Sequence, residues 1–147
     1  MIFRSDVTAR ARALLAVIGL AVLAMHPASS ADARWPTDEP LRAAMAAIRK
    51  ATLDNHTLVT HRRMPPADAR RFADTIAKQA SIARTGAQIS PEAKAELEPI
   101  LADIVSGADA VAGLGGALTP IDGIIQIDAA LVRYPLRFDD PTWQPLR

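Results

Sequence analysis

The sequence predicts an all-α protein, an antiparallel up-down-up-down four-helix bundle. Three observations predict it. Apolar residues recur at helical spacing in four successive segments. Caps, prolines and glycines punctuate the joints between those segments. No run of residues alternates in the manner of a strand, and no turn signal marks a hairpin.

The chain has 147 residues, and the first 33 stand outside the bundle. Arg4, Arg10 and Arg12 give a basic start, and Ala13 to Met25 is an uncharged apolar stretch. The small residues Ala28, Ser30, Ala31 and Ala33 follow. This is the layout of a secretory signal peptide over residues 1–33, cleaved after about Ser30 or Ala33. The stretch is shorter than the ~20 apolar residues that span a bilayer. The expectation is export to a bacterial periplasm by a Sec-type route, with no stable membrane insertion after cleavage. Residues 34–147 then form a single domain.

The first helix is predicted over about residues 38–61. Thr37 is the expected N-cap, and Asp38, Glu39 and Pro40 suit a first turn. Leu41, Met45, Ile48, Thr52 and Val59 form its apolar stripe. Met64-Pro65-Pro66 stops it. The second helix is predicted over about residues 67–85, with Phe72, Ile76, Ala80 and Ala83 on one face and Gly86 as the residue just past its end. The third opens with Ser90 as N-cap and Pro91 at the first helical position. Its stripe is Ala93, Leu97, Ile100, Leu101, Ile104, Val105, Ala108 and Val111, with a kink expected at Pro99. Gly113-Leu114-Gly115-Gly116 is the next connection. Thr119-Pro120 opens the fourth helix in the same fashion, with Ile121, Ile124, Ile125, Asp128, Leu131 and Val132 as its expected face and Pro135 as its limit. The tail, about residues 136–147, reads as extended or turn-like. In an alternating bundle Trp35 and Met45 lie at the same pole as Tyr134, Phe138 and Trp143.

The chain contains no cysteine, which excludes disulfides, thiolate metal sites and thiol nucleophiles. Without residues 1–33 the charge is zero, yet residues 34–86 carry +5 and residues 87–147 carry −5. A neutral whole argues against nucleic acid as a partner. The split reads as two basic helices shielded by two acidic ones. There is no G-x-S-x-G, H-E-x-x-H or E-x-x-H, so serine hydrolase, zincin and ferritin-like readings lack support. The glycines at 113–116 follow a helix rather than a strand and read as a linker, not a phosphate cradle.

His56 and His61 stand about 140° apart on a helix, so they do not chelate one metal. No metal site is expected. His56 reads as a hydrogen-bonded rim or core residue. Asp128, on an apolar stripe, lies either at the rim or paired, with Arg49 as a candidate partner. His61, Arg62 and Arg63, with Arg70 and Arg71 across the turn, make a basic tip. It reads as solvated, or as a contact for an anion or an acidic partner.

Leu41-Arg42-Ala43-Ala44-Met45-Ala46-Ala47-Ile48, just inside the first helix of an exported bundle, resembles the small soluble periplasmic cytochrome b. The wider cytochrome c-prime superfamily is similar in architecture. The resemblance implies haem b held by Met45 and by a histidine near the end of the last helix. That stretch holds Arg133, Tyr134 and Arg137 instead, and the Cys-x-x-Cys-His of the c-prime relatives is absent. A haem site would therefore rest on Met45, with Tyr134 and Phe138 at the same pole. The closing Phe138-Asp139-Asp140-Pro141-Thr142-Trp143 segment is also similar to exported bacterial bundle proteins without an assigned activity. Taken together, the residues lead to a non-enzymatic periplasmic bundle that binds a protein partner, a second copy of itself or a small ligand, with no cofactor expected. The alternative is a haem-binding electron carrier or sensor using Met45.

Overall fold

The computed structural model describes residues 33–146. The predicted signal segment, up to residue 32, lies outside the described residues. Six elements follow in chain order: β1 (Trp35–Pro36), α1 (Glu39–Thr60), α2 (Pro66–Gly86), α3 (Pro91–Val111), α4 (Pro120–Arg137) and β2 (Phe138–Asp139). The described residues are all-α, with four helices. None of the described helices is long and apolar enough to cross a membrane.

Local chemistry sets the helix starts. A proline occupies the first or second position of each described helix, where a missing N–H costs nothing. Ser90 caps α3 by accepting from the Ala93 N–H. Thr119 caps α4 through a reciprocal box: its hydroxyl accepts from the Asp122 N–H, and the Asp122 carboxylate accepts from the Thr119 N–H. At α1 the cap is Asp38 rather than the expected Thr37. One carboxylate oxygen of Asp38 accepts from Leu41 N–H at 3.1 Å, and the other accepts from Gln88 N–H in the α2–α3 connection. The two acceptor oxygens of the carboxylate let Asp38 hold both segments at once. Thr37 instead donates to the Asp139 carbonyl.

Each helix packs against its chain neighbours, and α1 also packs against α4. Between α3 and α4 the contacts run in opposite directions, Gly107 lying by Gly123 and the earlier Asp103 pairing with the later Arg133. The start of α1 lies by the end of α2, where Pro40 borders Gly86. Arg84 pairs with Glu98 at 2.9 Å, and Arg137 of α4 reaches back to Glu96 of α3. The core contains the predicted stripe of α1 entire, and those of α2 and α3 with Val105 only partly covered.

Four expectations are corrected. Gly86 is the last residue of α2, and the chain leaves through Ala87 in an extended conformation, so no left-handed glycine ends this helix. Pro135 lies inside α4, which continues to Arg137; a proline this near the end forfeits only one hydrogen bond. The tail begins at Phe138 rather than Leu136, and its extended start is β2, which pairs in parallel with β1, Trp35 opposite Phe138. The face of α4 is rotated from the predicted one. Ile125 and Val132 are 59% and 56% exposed, whereas Gly123, Ile127, Ala130 and Tyr134 are buried with Ile124 and Leu131. The physical reason is the closeness of α3 and α4. A Cβ on Gly107 would sit 2.5 Å from the Gly123 carbonyl oxygen and 2.8 Å from Ile127 Cγ1. The two backbones touch at this glycine pair, and that contact sets the rotation of α4.

Candidate functional site

Two helix ends and two helix starts meet at the pole formed by the α1–α2 and α3–α4 connections. α3 ends in a paired-bond cap: Gly113 N–H donates to Ala110 C=O at 3.0 Å and Leu114 N–H to Asp109 C=O at 2.7 Å. Gly113 takes the left-handed conformation that this cap needs, with φ of 77°. α1 ends in the same cap. Arg62 N–H donates to Val59 C=O at 2.9 Å and Arg63 N–H to Leu58 C=O at 2.8 Å. Here the left-handed residue is Arg62, with φ of 54°, the one non-glycine residue with positive φ among the described residues. An L side chain in this conformation costs roughly 1–2 kcal/mol.

Between these ends lies a cavity of about 430 Å³ lined by Val59, Arg62, Met64, Val111, Thr119, Pro120 and Ile121. Its walls are aliphatic apart from the Arg62 side and the Thr119 rim. The α4 N-terminus is already satisfied by its capping box. Hydrogen bonds from Thr119 hold the Asp122 carboxyl below its ordinary value, so it is ionised at the helix start. That helix end therefore offers no open anion cradle, and positive charge at this pole comes from the arginines. Arg62, Arg63 and Arg70 form no ion pair among the described residues, while Arg71 pairs with Asp68 of its own helix. His61 is exposed at the C-cap of α1. Of the residues of the predicted basic tip, Arg62 lines this cavity, Arg63 follows it in the α1–α2 connection, and Arg70 and Arg71 lie in the second turn of α2.

Comparison of the chain with protein-family models, curated proteins and solved structures finds no match. The site is therefore read from its own geometry.

The opposite pole holds the residues of the haem reading. Met45, Tyr134 and Phe138 are all fully buried. Tyr134 stacks on Phe138 with ring centroids 5.3 Å apart and tilts against Trp143 at 4.8 Å. Its hydroxyl donates to Asp140. Burial, with Asp140 alongside, pushes the phenol well above its ordinary pKa. As packed, Met45 and Phe138 are fully buried and the Tyr134 hydroxyl is taken up by Asp140. Among the described residues, no group of three His, Asp or Glu side chains is placed to hold a metal ion.

His56 and Asp128 meet midway, Nε2 to Oδ2 at 3.1 Å, joining α1 to α4. Asp128 thus takes His56, not the candidate Arg49. Arg49 reaches the tail instead, donating to the Pro145 carbonyl at 3.0 Å, because the tail folds back over α1. Burial raises the Asp128 carboxyl above its ordinary value, and His56 offsets part of that rise. A raised folded-state pKa favours folding below the unfolded value of 3.8 and loses that contribution as pH rises through the folded value. Asp128→Asn removes this term. Its stability relative to the parent is expected to be more favourable at pH 7 than at pH 3, as read by urea unfolding at both. Equal differences at the two pH values would refute the assignment.

Sequence reasoning found the arginines of the tip but not the cavity. Val59 and Val111 were expected in the core, and they do border it. The signal for the site is Arg62 itself, a charged residue just past a helix end where glycine is the usual choice.

Proposed function

We propose that this protein is an exported, non-enzymatic helical bundle that binds a small amphipathic anion, a carboxylate on a short apolar chain, in the cavity at its basic pole. The observation that carries this reading is Arg62. Two identical helix caps stand at that pole, one with glycine in the left-handed position and one with an arginine that borders an aliphatic cavity. Strain held at one residue is retained where that side chain is needed. The cavity lies within the size range of small-ligand sites, roughly 300–1,000 Å³. Apolar walls accept the chain, and the guanidinium pairs with the carboxylate. Export is supported by the basic start, apolar stretch and small residues that open the sequence.

The test uses the full chain expressed in a bacterial host, with the protein purified from the periplasmic fraction. Octanoate is titrated calorimetrically, with octanol as the uncharged control. Saturable one-to-one binding of octanoate, tighter than octanol, is expected. Arg62→Gly should weaken octanoate binding by about tenfold or more, the scale of a charge-assisted hydrogen bond. The same variant should be more stable than the parent by roughly 1 kcal/mol, because glycine relieves the left-handed strain. Opposite signs on binding and stability separate a ligand contact from a structural one. Undiminished octanoate binding by Arg62→Gly, or none by the parent, would overturn the reading.

A further inference from the structure

The rotation of α4 leaves an apolar stripe on its outer face. Ile125, Ala129, Val132 and Leu136 are exposed at spacings of four, three and four, and Val132 and Leu136 are 56% and 69% exposed. The stripe runs for ~16 Å along the helix. Exposed apolar residues scattered singly need no explanation, but a row on one helix face marks a contact surface.

The charges beside the stripe specify what covers it. On the side toward α3, α4 carries Asp122 near its start, then Gln126, then Arg133 and Arg137 near its end. The acidic half precedes the basic half on one edge. A second copy of α4, running in the opposite direction and centred near Ala129, sets Asp122 of each copy beside Arg137 of the other; Gln126 and Arg133 between them are held by Asp103 of α3. A parallel pair would place the basic ends together. The capping hydrogen bonds of Asp122 use its Oδ2 only, and Arg137 is held by Glu96 at no closer than 3.8 Å. Both are exposed and available. The antiparallel arrangement also puts Ile125 of one copy opposite a groove of about 270 Å³ next to Arg133, Leu136 and Arg137 of the other.

We infer that α4 is a self-association surface, and that two copies of this protein pair antiparallel along Ile125, Ala129, Val132 and Leu136. Three turns of helix bury less than about 1,200 Å² in total, the range of weak and reversible complexes. The pair forms along the outer face of α4, reaching the basic pole only at Asp122, and does not depend on the ligand proposed there.

Sedimentation equilibrium on the purified periplasmic protein tests this, from micromolar to millimolar concentration. The weight-average mass is expected to rise toward twice that of one chain. Val132→Lys should shift the rise to at least tenfold higher concentration, as should Arg137→Glu. Ile82→Lys, on an exposed position of α2, should leave it unchanged. Ala129→Glu provides a second stripe variant should Val132→Lys lose its helical circular dichroism. The inference is overturned by a mass that stays at one chain throughout. Association that survives both stripe variants, or that Ile82→Lys disrupts equally, overturns it too.

Discussion

Gly123→Ala is expected to lower the unfolding free energy by about 3 kcal/mol, the upper part of the range for overpacking a filled interior. The sign is the informative part. In an ordinary helix interior, replacing glycine by alanine stabilises by up to ~1 kcal/mol. At this position a Cβ would lie 2.9 Å from Ala110 Cβ and 3.0 Å from the Val111 backbone nitrogen, and would run into the Gly107 carbonyl oxygen. Those obstacles are backbone or a rigid methyl, so none swings aside. The helices must separate instead, and α3 against α4 is the most extensive interface in the bundle. Gly107→Ala meets the same obstacle from the other side, 2.5 Å from the Gly123 carbonyl oxygen. The double variant should cost less than the sum of the two, because one separation relieves both clashes. Urea unfolding of the three variants, with helical circular dichroism to show that the native fold persists, reads the effect. A neutral or stabilising Gly123→Ala would mean that the helices do not touch there.

That contact also explains which parts of the fold were legible. Helix starts were, because a cap and a proline act over four residues: Ser90-Pro91 and Thr119-Pro120 do what their local chemistry dictates. The stripes of α1 and α2 were, because large side chains mark them. The rotation of α4 was not, because two glycines decide it from separate helices and glycine carries no hydropathic signal. Each is an isolated glycine in a helical pattern, which is a packing signal when read that way. The β1–β2 pair was hidden for a different reason. It joins residues more than a hundred positions apart through two-residue strands, too short to show an alternation. At the tip, charge was visible in Arg62 and Arg63, but the left-handed backbone of Arg62 was not. It follows from the helix ending at Thr60, and that depends on where α2 begins. Asp128 was readable as a rim or paired residue. Which partner it takes depends on the tail drawing Arg49 away.

The aromatic pole was legible from alternation alone, and the second large effect lies there. Tyr134→Ala is expected to cost about 4 kcal/mol, within the range for emptying a large buried aromatic position. Tyr134 stacks on Phe138, touches Trp143 and hydrogen-bonds to Asp140. Through Phe138 it also supports β2, which Arg34 secures by pairing with Asp139 at 2.8 Å. Removing the ring therefore loosens α4, the parallel strand pair and the tail together. Tyr134→Phe separates the ring from its hydroxyl. It should cost only about 1 kcal/mol, the net worth of one hydrogen bond, because Asp140 keeps two other donors in the N–H and hydroxyl of Thr142. Thermal unfolding gives both values, and the tryptophan emission gives the place. Trp143 rests against the ring, so Tyr134→Ala should shift the emission to the red while Tyr134→Phe leaves it in place. Were the two variants equally destabilised, the hydroxyl rather than the ring would be holding the pole. The tail would then be fastened by one hydrogen bond to Asp140, and Asp140→Asn, with Thr142 still in place, would have to reproduce the full loss.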